Sequence, residues 1–371
     1  MKDFDYNELY NIIPKGKENA IHLKKLSERL NKSESATKNI IQKARRKGYQ
    51  ILSGQNGYWF AGSDEEVTAF IDELDSIPFP DRSIMNNKLY INPATNRPLA
   101  TISTSRGCPS SCIYCVSPVI SGRKVRFRSS QSVFEEIKEC VEKHNIRDFF
   151  FKSDTFTIKK DWVIELCDKI INSELCGKIN WVANSRVNTI DDEMLSKMKK
   201  AGCSVIALGI ESGSDDSLKK MKKGTTVEQN INAVKLIKKH KLQILGFYLI
   251  GFPWETKEYI EATKKLMFYL NTDFIELSIA TPFKGSELYK MEYEDIDNGK
   301  NVLGKDSFKY STTGTKFLSA EYLEKTRKDI IFKYHTRPSY IIKKVFNRNI
   351  TPEILFNYFK YGLRMLKNCI K

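Results

Sequence analysis

Thr104-Ser105-Arg106-Gly107-Cys108-Pro109-Ser110-Ser111-Cys112-Ile113-Tyr114-Cys115 sets three cysteines at Cys-x3-Cys-x2-Cys spacing directly after a β-rich run. A loop this tight cannot supply four ligands, so a four-iron cubane held by it would keep one iron free to bind a substrate. Two other readings stand beside it: three buried thiols that bind nothing, and a zinc site. Zinc sites usually pair two short-spaced ligand couples, and no fourth Cys or His lies near this run. Cys140, Cys167, Cys176, Cys203 and Cys369 are scattered without short pairs and read as small buried hydrophobes, so no second cluster is expected.

Outward from the triad, short β-rich runs alternate with amphipathic helical stretches. Strands are predicted over 99–104, 148–152, 180–184, 204–210, 244–250 and 274–280, with crossovers long enough for parallel pairing. The class is α/β, and an open, partial (β/α)6 barrel over 99–285 is the expected form; periodicity does not say whether it closes. A linker covers 76–98. Residues 286–371 read as a basic helical tail, in which Ile354, Leu355, Tyr358, Phe359, Leu363 and Leu366 recur at helical spacing, as for packing on the barrel.

The first 75 residues read differently. Ile21, Leu23, Leu26 and Leu30 mark a short amphipathic helix, and a second runs from Glu34 to Lys47 and stops at Gly48. Strands at 49–53 and 58–61 follow, joined by a turn with Asn56-Gly57. Helix, turn, helix, hairpin resembles a small winged-helix module. Residues 1–62 carry twelve Lys and Arg against six Asp and Glu, so a DNA-binding role and a plain interaction role both remain open.

Composition bounds the rest. With 371 residues, 41% hydrophobic and 29% charged, the chain is globular and long enough for two or three domains. No apolar run approaches the roughly 18 residues of a membrane span, and the Met1-Lys2-Asp3-Phe4 start lacks a secretory signal. A cytoplasmic location is expected, with thiols kept reduced. The net charge of +16 would attract phosphate, but much of it sits in helical lysines such as Lys197, Lys199 and Lys200 that read as solvated faces.

Beyond the triad, Ser76-Ile77-Pro78-Phe79-Pro80-Asp81-Arg82, Cys115-Val116-Ser117-Pro118, Phe151-Lys152-Ser153-Asp154, Asn184-Ser185-Arg186-Val187, Gly209-Ile210-Glu211-Ser212-Gly213 and Ile250-Gly251-Phe252-Pro253-Trp254-Glu255 fall in order at the ends of the predicted strands. Over residues 76–371 this resembles the cobalamin-type (class B) branch of the radical S-adenosylmethionine superfamily. The resemblance implies a [4Fe–4S] cluster on Cys108, Cys112 and Cys115, S-adenosylmethionine on its open iron, reductive cleavage, and hydrogen abstraction from a small-molecule or peptide substrate. It further implies that Tyr114 meets the adenine through its backbone, Asp154 accepts from the amino group, and Ser185-Arg186 face the carboxylate. Glu211 and Ser212 would hold the ribose, and Gly251 would approach the adenine, with Ser278, Thr281 and Pro282 completing that wall. Ligands in parallel α/β barrels collect at these carboxyl ends. An ion pair within the sheet for Arg186 and a helix cap for Glu211 are the structural alternatives. An electron donor such as flavodoxin or ferredoxin is an expected partner. No catalytic side chain is named.

The chain also departs from that branch. Its relatives usually carry an amino-terminal cobalamin domain, whereas here some 75 residues precede Ser76 and the Asp-x-His-x-x-Gly signature is absent. Cobalamin, and with it methyl transfer, is left without support from any domain read in the sequence. Methylthiotransferases need three further amino-terminal cysteines, and none precedes Cys108. The alternative from another class is a DNA-binding regulator in which the barrel senses and the winged helix acts.

Overall fold

A computed structural model describes residues 4–46, 49–54, 57–63, 73–293, 314–345 and 356. The chain divides into two compact units, one of Met1–Asp81 with Arg126–Ser132 and the other of Arg82–Val125 with Val133–Lys371.

In the first unit, α1 (Leu23–Leu30) and α2 (Glu34–Arg46) precede an antiparallel hairpin of β1 (Ile51–Gly54) and β2 (Gly57–Phe60). Asn31 ends α1 in the left-handed region at φ 49°, which releases the chain into the turn between the helices. Leu26, Leu30, Ile41 and Ala44 project from the two helices onto Ile51 and Phe60 of the hairpin, forming one apolar cluster. Gly57 is required at φ +113°, where a Cβ would sit on the Ile21 carbonyl. Lys47, Gly48 and Asn56 of the expected elements lie outside the described residues.

The second unit is built on a seven-stranded sheet. Its strands are β3 (Ile91–Asn92), β4 (Arg97–Ser103), β5 (Asp148–Lys152), β6 (Asn180–Arg186), β7 (Cys203–Glu211), β8 (Gln243–Ile250) and β9 (Phe274–Ile279). They lie in the order β9-β8-β7-β6-β5-β4-β3, with β4 to β9 parallel and β3 antiparallel at one edge. Among the described residues β4 and β9 do not pair, so the barrel stays open, a point that periodicity left undecided. β3 falls in the stretch read from sequence as a linker.

Burial alternates along the strands. On β6, Trp181, Ala183 and Ser185 are buried while Val182, Asn184 and Arg186 are half-buried, and β8 shows the same period. The buried set packs under the crossover helices. Phe151 stacks on Trp181 at 4.8 Å and on Phe156 at 5.7 Å, and Trp162 of the following helix meets Phe156 edge-on. The half-buried set faces the concave side.

The crossovers are α4 (Ser130–His144), α5 (Lys160–Ile171), α6 (Asp192–Lys200), α7 (Asp215–Lys220) with α8 (Val227–Lys239), and α9 (Lys257–Leu270). A short helix, α3 (Ser117–Ser121), follows the cysteine loop. After β9 come Glu287–Tyr293, Ala320–Thr336 and Pro338–Val345. Tyr334 of the second of these donates to the Thr272 carbonyl at 2.7 Å, and the Arg337 guanidinium lies 3.8 Å over its ring, which ties this segment to the barrel. The periodic residues 354, 355, 358, 359, 363 and 366 lie outside the described residues, as does Cys369. No helix of the described residues is long and apolar enough to cross a membrane.

Candidate active site at the carboxyl ends of the strands

The cysteine loop leaves β4 and is fixed at three points. Gly107 adopts φ +101°, and a Cβ there would overlap the Lys124 carbonyl oxygen, so only glycine fits before the first cysteine. The Gly107 N–H donates to Asp154 Oδ2 at 3.1 Å, and the Cys108 N–H donates to the Gly122 carbonyl at 3.0 Å. Farther on, the Ile113 N–H donates to the Met221 carbonyl at 3.1 Å, and its own carbonyl accepts from the Leu288 N–H at 2.8 Å. The Ile113 side chain is buried with Met221, Phe252, Ala280 and Leu288. We therefore expect Gly107→Ala to lower retained iron after anaerobic reconstitution at least about tenfold while far-ultraviolet dichroism stays native, because the strain falls on the loop and not on the sheet.

Cys108 and Cys112 are buried and Cys115 is half-buried. Two donors already point at the sulfurs: Arg186 Nη1 at 3.4 Å from Cys112 Sγ, and the Ser117 N–H at 3.4 Å from Cys115 Sγ. Such bonds to the sulfurs tune a cluster's potential. Among the described residues no three His, Cys, Asp or Glu side chains converge closely enough for one metal ion. A cubane asks for less convergence, since each thiolate meets a different iron. The donor set thus fits a four-iron cluster with one open iron better than it fits zinc.

Beside the loop lies a cavity of about 190 Å³ lined by Cys108, Cys112, Tyr114, Cys115, Asp154, Ser185, Arg186, Glu211 and Lys223, with Asn184, Ala207, Gly209 and Phe247 on its strand wall. Seven of these, the three cysteines, Tyr114, Asp154, Arg186 and Glu211, were anticipated as site residues, and Ser185 makes an eighth. Ser212 and Gly251 do not line it. Ser212 is fully buried, with its Oγ 3.2 Å from Thr263 Oγ1, and Gly251 turns at φ +90° behind the wall.

Lys223 is the residue that sequence reading missed. It sits in Lys219-Lys220-Met221-Lys222-Lys223, which looks like a solvated run, yet its side chain is 4% exposed and pairs with Glu211 at 2.7 Å. Its carbonyl accepts from Arg186 Nη2, and its Nζ lies 3.4 Å from the Tyr114 hydroxyl. Glu211 holds φ +67°, unusual for a side chain of that size, at the point where β7 shifts register against β8. It is not a helix cap: Ser214 caps α7. Burial, then the Glu211 and Cys112 charges, hold the Tyr114 phenol well above its usual range, so it remains a donor.

Glu255 is the second addition. Fully buried, it accepts from the Gly251 N–H at 2.7 Å, the Phe252 N–H at 3.2 Å and the Ser217 hydroxyl at 2.7 Å, closing the Gly251-Phe252-Pro253 turn. Burial raises its carboxyl, and the three donors pull it partly back. Because the folded value is raised, the folded state holds this proton more tightly. The resulting stability is complete below the ordinary value of 4.5 and is lost as pH climbs through the raised one. Urea melts from about pH 5 to about pH 8 should show the wild type losing stability relative to Glu255→Gln as pH rises; a constant difference would refute this.

Of the other described cysteines, Cys140, Cys167 and Cys203 are buried, and burial pushes the Cys140 thiol up to about 11. Cys176 corrects the expectation of burial. It is exposed, in the turn after α5, where its neighbour Leu175 takes the buried position.

Residues 102–267 match the Radical SAM superfamily. The chain is 34% identical over 290 residues to an uncharacterized methyltransferase of Pyrococcus horikoshii, covering 77% of this chain and 61% of that one. It is 31% identical over 242 residues to the anaerobic magnesium-protoporphyrin IX monomethyl ester cyclase of Rubrivivax gelatinosus, covering 63% and 43%. The chain thus spans roughly half the length of these relatives. Among solved structures, the cobalamin-dependent S-adenosylmethionine radical enzyme OxsB aligns over 91% of this chain and 55% of its own, at TM-score 0.56 and 14% identity. The radical S-adenosylmethionine methyltransferase TsrM of Kitasatospora setae aligns over 54% and 38%, at 0.50 and 21%. Both likenesses concern the fold.

Proposed function

The chain belongs to the radical SAM superfamily, and from that membership we propose that it cleaves S-adenosylmethionine reductively and removes a hydrogen atom from its substrate. The observation that carries the reading is the three-thiolate loop clamped at the rim of a cavity into whose partly apolar walls Asp154, Arg186, Glu211 and Lys223 bring charge. A [4Fe–4S] cluster bound there supplies one electron and an open coordination position.

The chain's own residues then bind and orient. Asp154 holds the loop through Oδ2, which leaves Oδ1 to accept from the amino group of S-adenosylmethionine. Arg186 is braced by Lys223 and Cys112, and the remaining donors of its guanidinium suit the carboxylate. The Glu211–Lys223 pair offers a fixed acceptor and donor to the ribose hydroxyls. The loop backbone at Tyr114 and the turn closed by Glu255 frame the adenine. Ser212 and Gly251 support those walls from behind.

Methyl transfer is the outcome that the relatives' names favour. A cobalamin domain would bring a parallel sheet of its own, and among the described residues the only sheet of parallel strands carries the cysteine loop. Cobalamin is therefore given no residue and no step. The relatives are enzymes, so the sensor reading is not carried forward. The helix, helix, hairpin order of the first unit supports a winged-helix module, and its charge a nucleic-acid contact. A cytoplasmic setting supplies the reductant.

The test is anaerobic reconstitution, reduction, and measurement of 5′-deoxyadenosine and methionine. Equal release of both is expected. An intact, reduced cluster that leaves S-adenosylmethionine whole overturns the proposal.

A further inference from the structure

From Arg82 to Phe134 the chain runs for 53 residues without an Asp or Glu while carrying eight Lys and Arg. A chain with 45 acidic residues in 371 would place about six there. The stretch contains all three cysteines of the site. It also contains the helix Ser117–Ser121, none of whose residues is buried. Val119 and Ile120 on that helix are 64% and 77% exposed, adjacent and apolar, two residues beyond the Ser117 that donates to Cys115.

The segment that follows is fastened to the loop. The Gly122 carbonyl takes the Cys108 N–H at 3.0 Å, and Arg123 Nη1 reaches the Ser110 carbonyl at 3.3 Å and Ser111 Oγ at 3.4 Å. Arg106, Arg123 and Lys124 are all exposed. The apolar pair, four and five residues past Cys115, and the cations Arg106, two residues before Cys108, Arg123 and Lys124 are therefore open to solvent on segments that adjoin the cluster loop.

We propose that this surface, formed by Val119, Ile120, Arg106, Arg123 and Lys124, is where a small acidic electron-transfer protein docks to reduce the cluster. This rests on the radical SAM reading, because only a site that holds such a cluster needs the electron. The step moves one electron: the donor's reduced flavin or iron–sulfur centre is oxidised by one, the chain's cluster is reduced by one, and no bond forms or breaks. The occupant follows from charge. Arg82 and Arg97 are neutralised by Glu136 and Asp148, so the exposed Arg106, Arg123 and Lys124 are the cations that steer an acidic partner and repel a basic one, while the apolar pair gives the contact a dry centre. Placement beside Cys108 and Cys115 keeps the electron's path short.

The experiment follows cluster bleaching by stopped flow, with an acidic bacterial flavodoxin in its reduced form as the probe. Illuminated 5-deazariboflavin, small and uncharged, serves as the second reductant. For the wild type, the flavodoxin rate should fall steeply as salt is raised. R106E/K124E, which leaves the Arg123 bonds to the cysteine loop intact, should slow flavodoxin at least about tenfold and flatten that salt dependence, with the deazaflavin rate unchanged within about twofold. Ile120→Glu, at a position 77% exposed, should also slow flavodoxin alone. Equal flavodoxin rates in wild type and both variants overturn the proposal. Equal slowing by both reductants overturns it too, since the residues would then be housing for the cluster and not a landing surface. If flavodoxin reduces the cluster as expected and S-adenosylmethionine stays whole, the proposed function falls and the docking surface stands.

Discussion

Cys112→Ala is expected to emerge from anaerobic reconstitution colourless, with iron and sulfide near background and no 5′-deoxyadenosine formed on reduction. Loss of an outer hydrogen-bond partner costs roughly 10–100-fold in metal affinity, and loss of one of only three ligands should exceed that. Cys112 is the informative choice because the rest of its loop is held independently. Ile113 remains bonded to Met221 and Leu288, and Gly107 to Asp154. The variant should therefore fold, and its failure should be confined to the metal site. Cys203→Ala is the control, removing an equally buried sulfur far from the loop in sequence, and it should retain iron. A Cys112→Ala protein that stays brown would show that the ligands lie elsewhere.

Lys223→Met should cost about 3–5 kcal/mol of stability, read as a lowered urea midpoint at unchanged slope, because it strands the Glu211 carboxylate in a buried site. Methionine keeps the volume, so cavity formation contributes little. The double variant Glu211→Gln with Lys223→Met should regain most of the loss, since a neutral amide does not need the ammonium. If the single variant melted like the wild type, the pair would have to be an exposed contact, against the 4% and 9% exposure of its side chains.

The strands were legible because each is a short apolar run bounded by polar turns, and in a parallel sheet that pattern persists whichever face is buried. The expected 148–152 coincides with β5, and the others differ by one to two residues. The triad was legible because ligand spacing is a local property. What sequence could not carry is direction. Lys223 belongs to a lysine run, and only the turn after α7, bonded back through Ser217 and Leu218, swings it inward while Lys219, Lys220 and Lys222 stay outside. Ser212 and Gly251 each stand just past the end of a strand, Ser212 bonded to Thr263 and Gly251 to Glu255, so neither reaches the cavity. Glu255 has no role assigned from sequence, and only three-dimensional placement exposes it as the brace of Gly251.

The clamp on Ile113 bears on when the site comes into being. One of its two backbone bonds comes from Leu288, about 175 residues later in the chain. A ribosome emitting the polypeptide delivers all three thiols long before that amide exists, and contacts of such wide sequence separation form late. Iron delivered to the nascent chain would meet cysteines on an unsecured loop. Assembly of the metal centre is thereby deferred until translation has passed the last barrel strand, and a truncation ending before residue 288 would make the sheet yet release its iron.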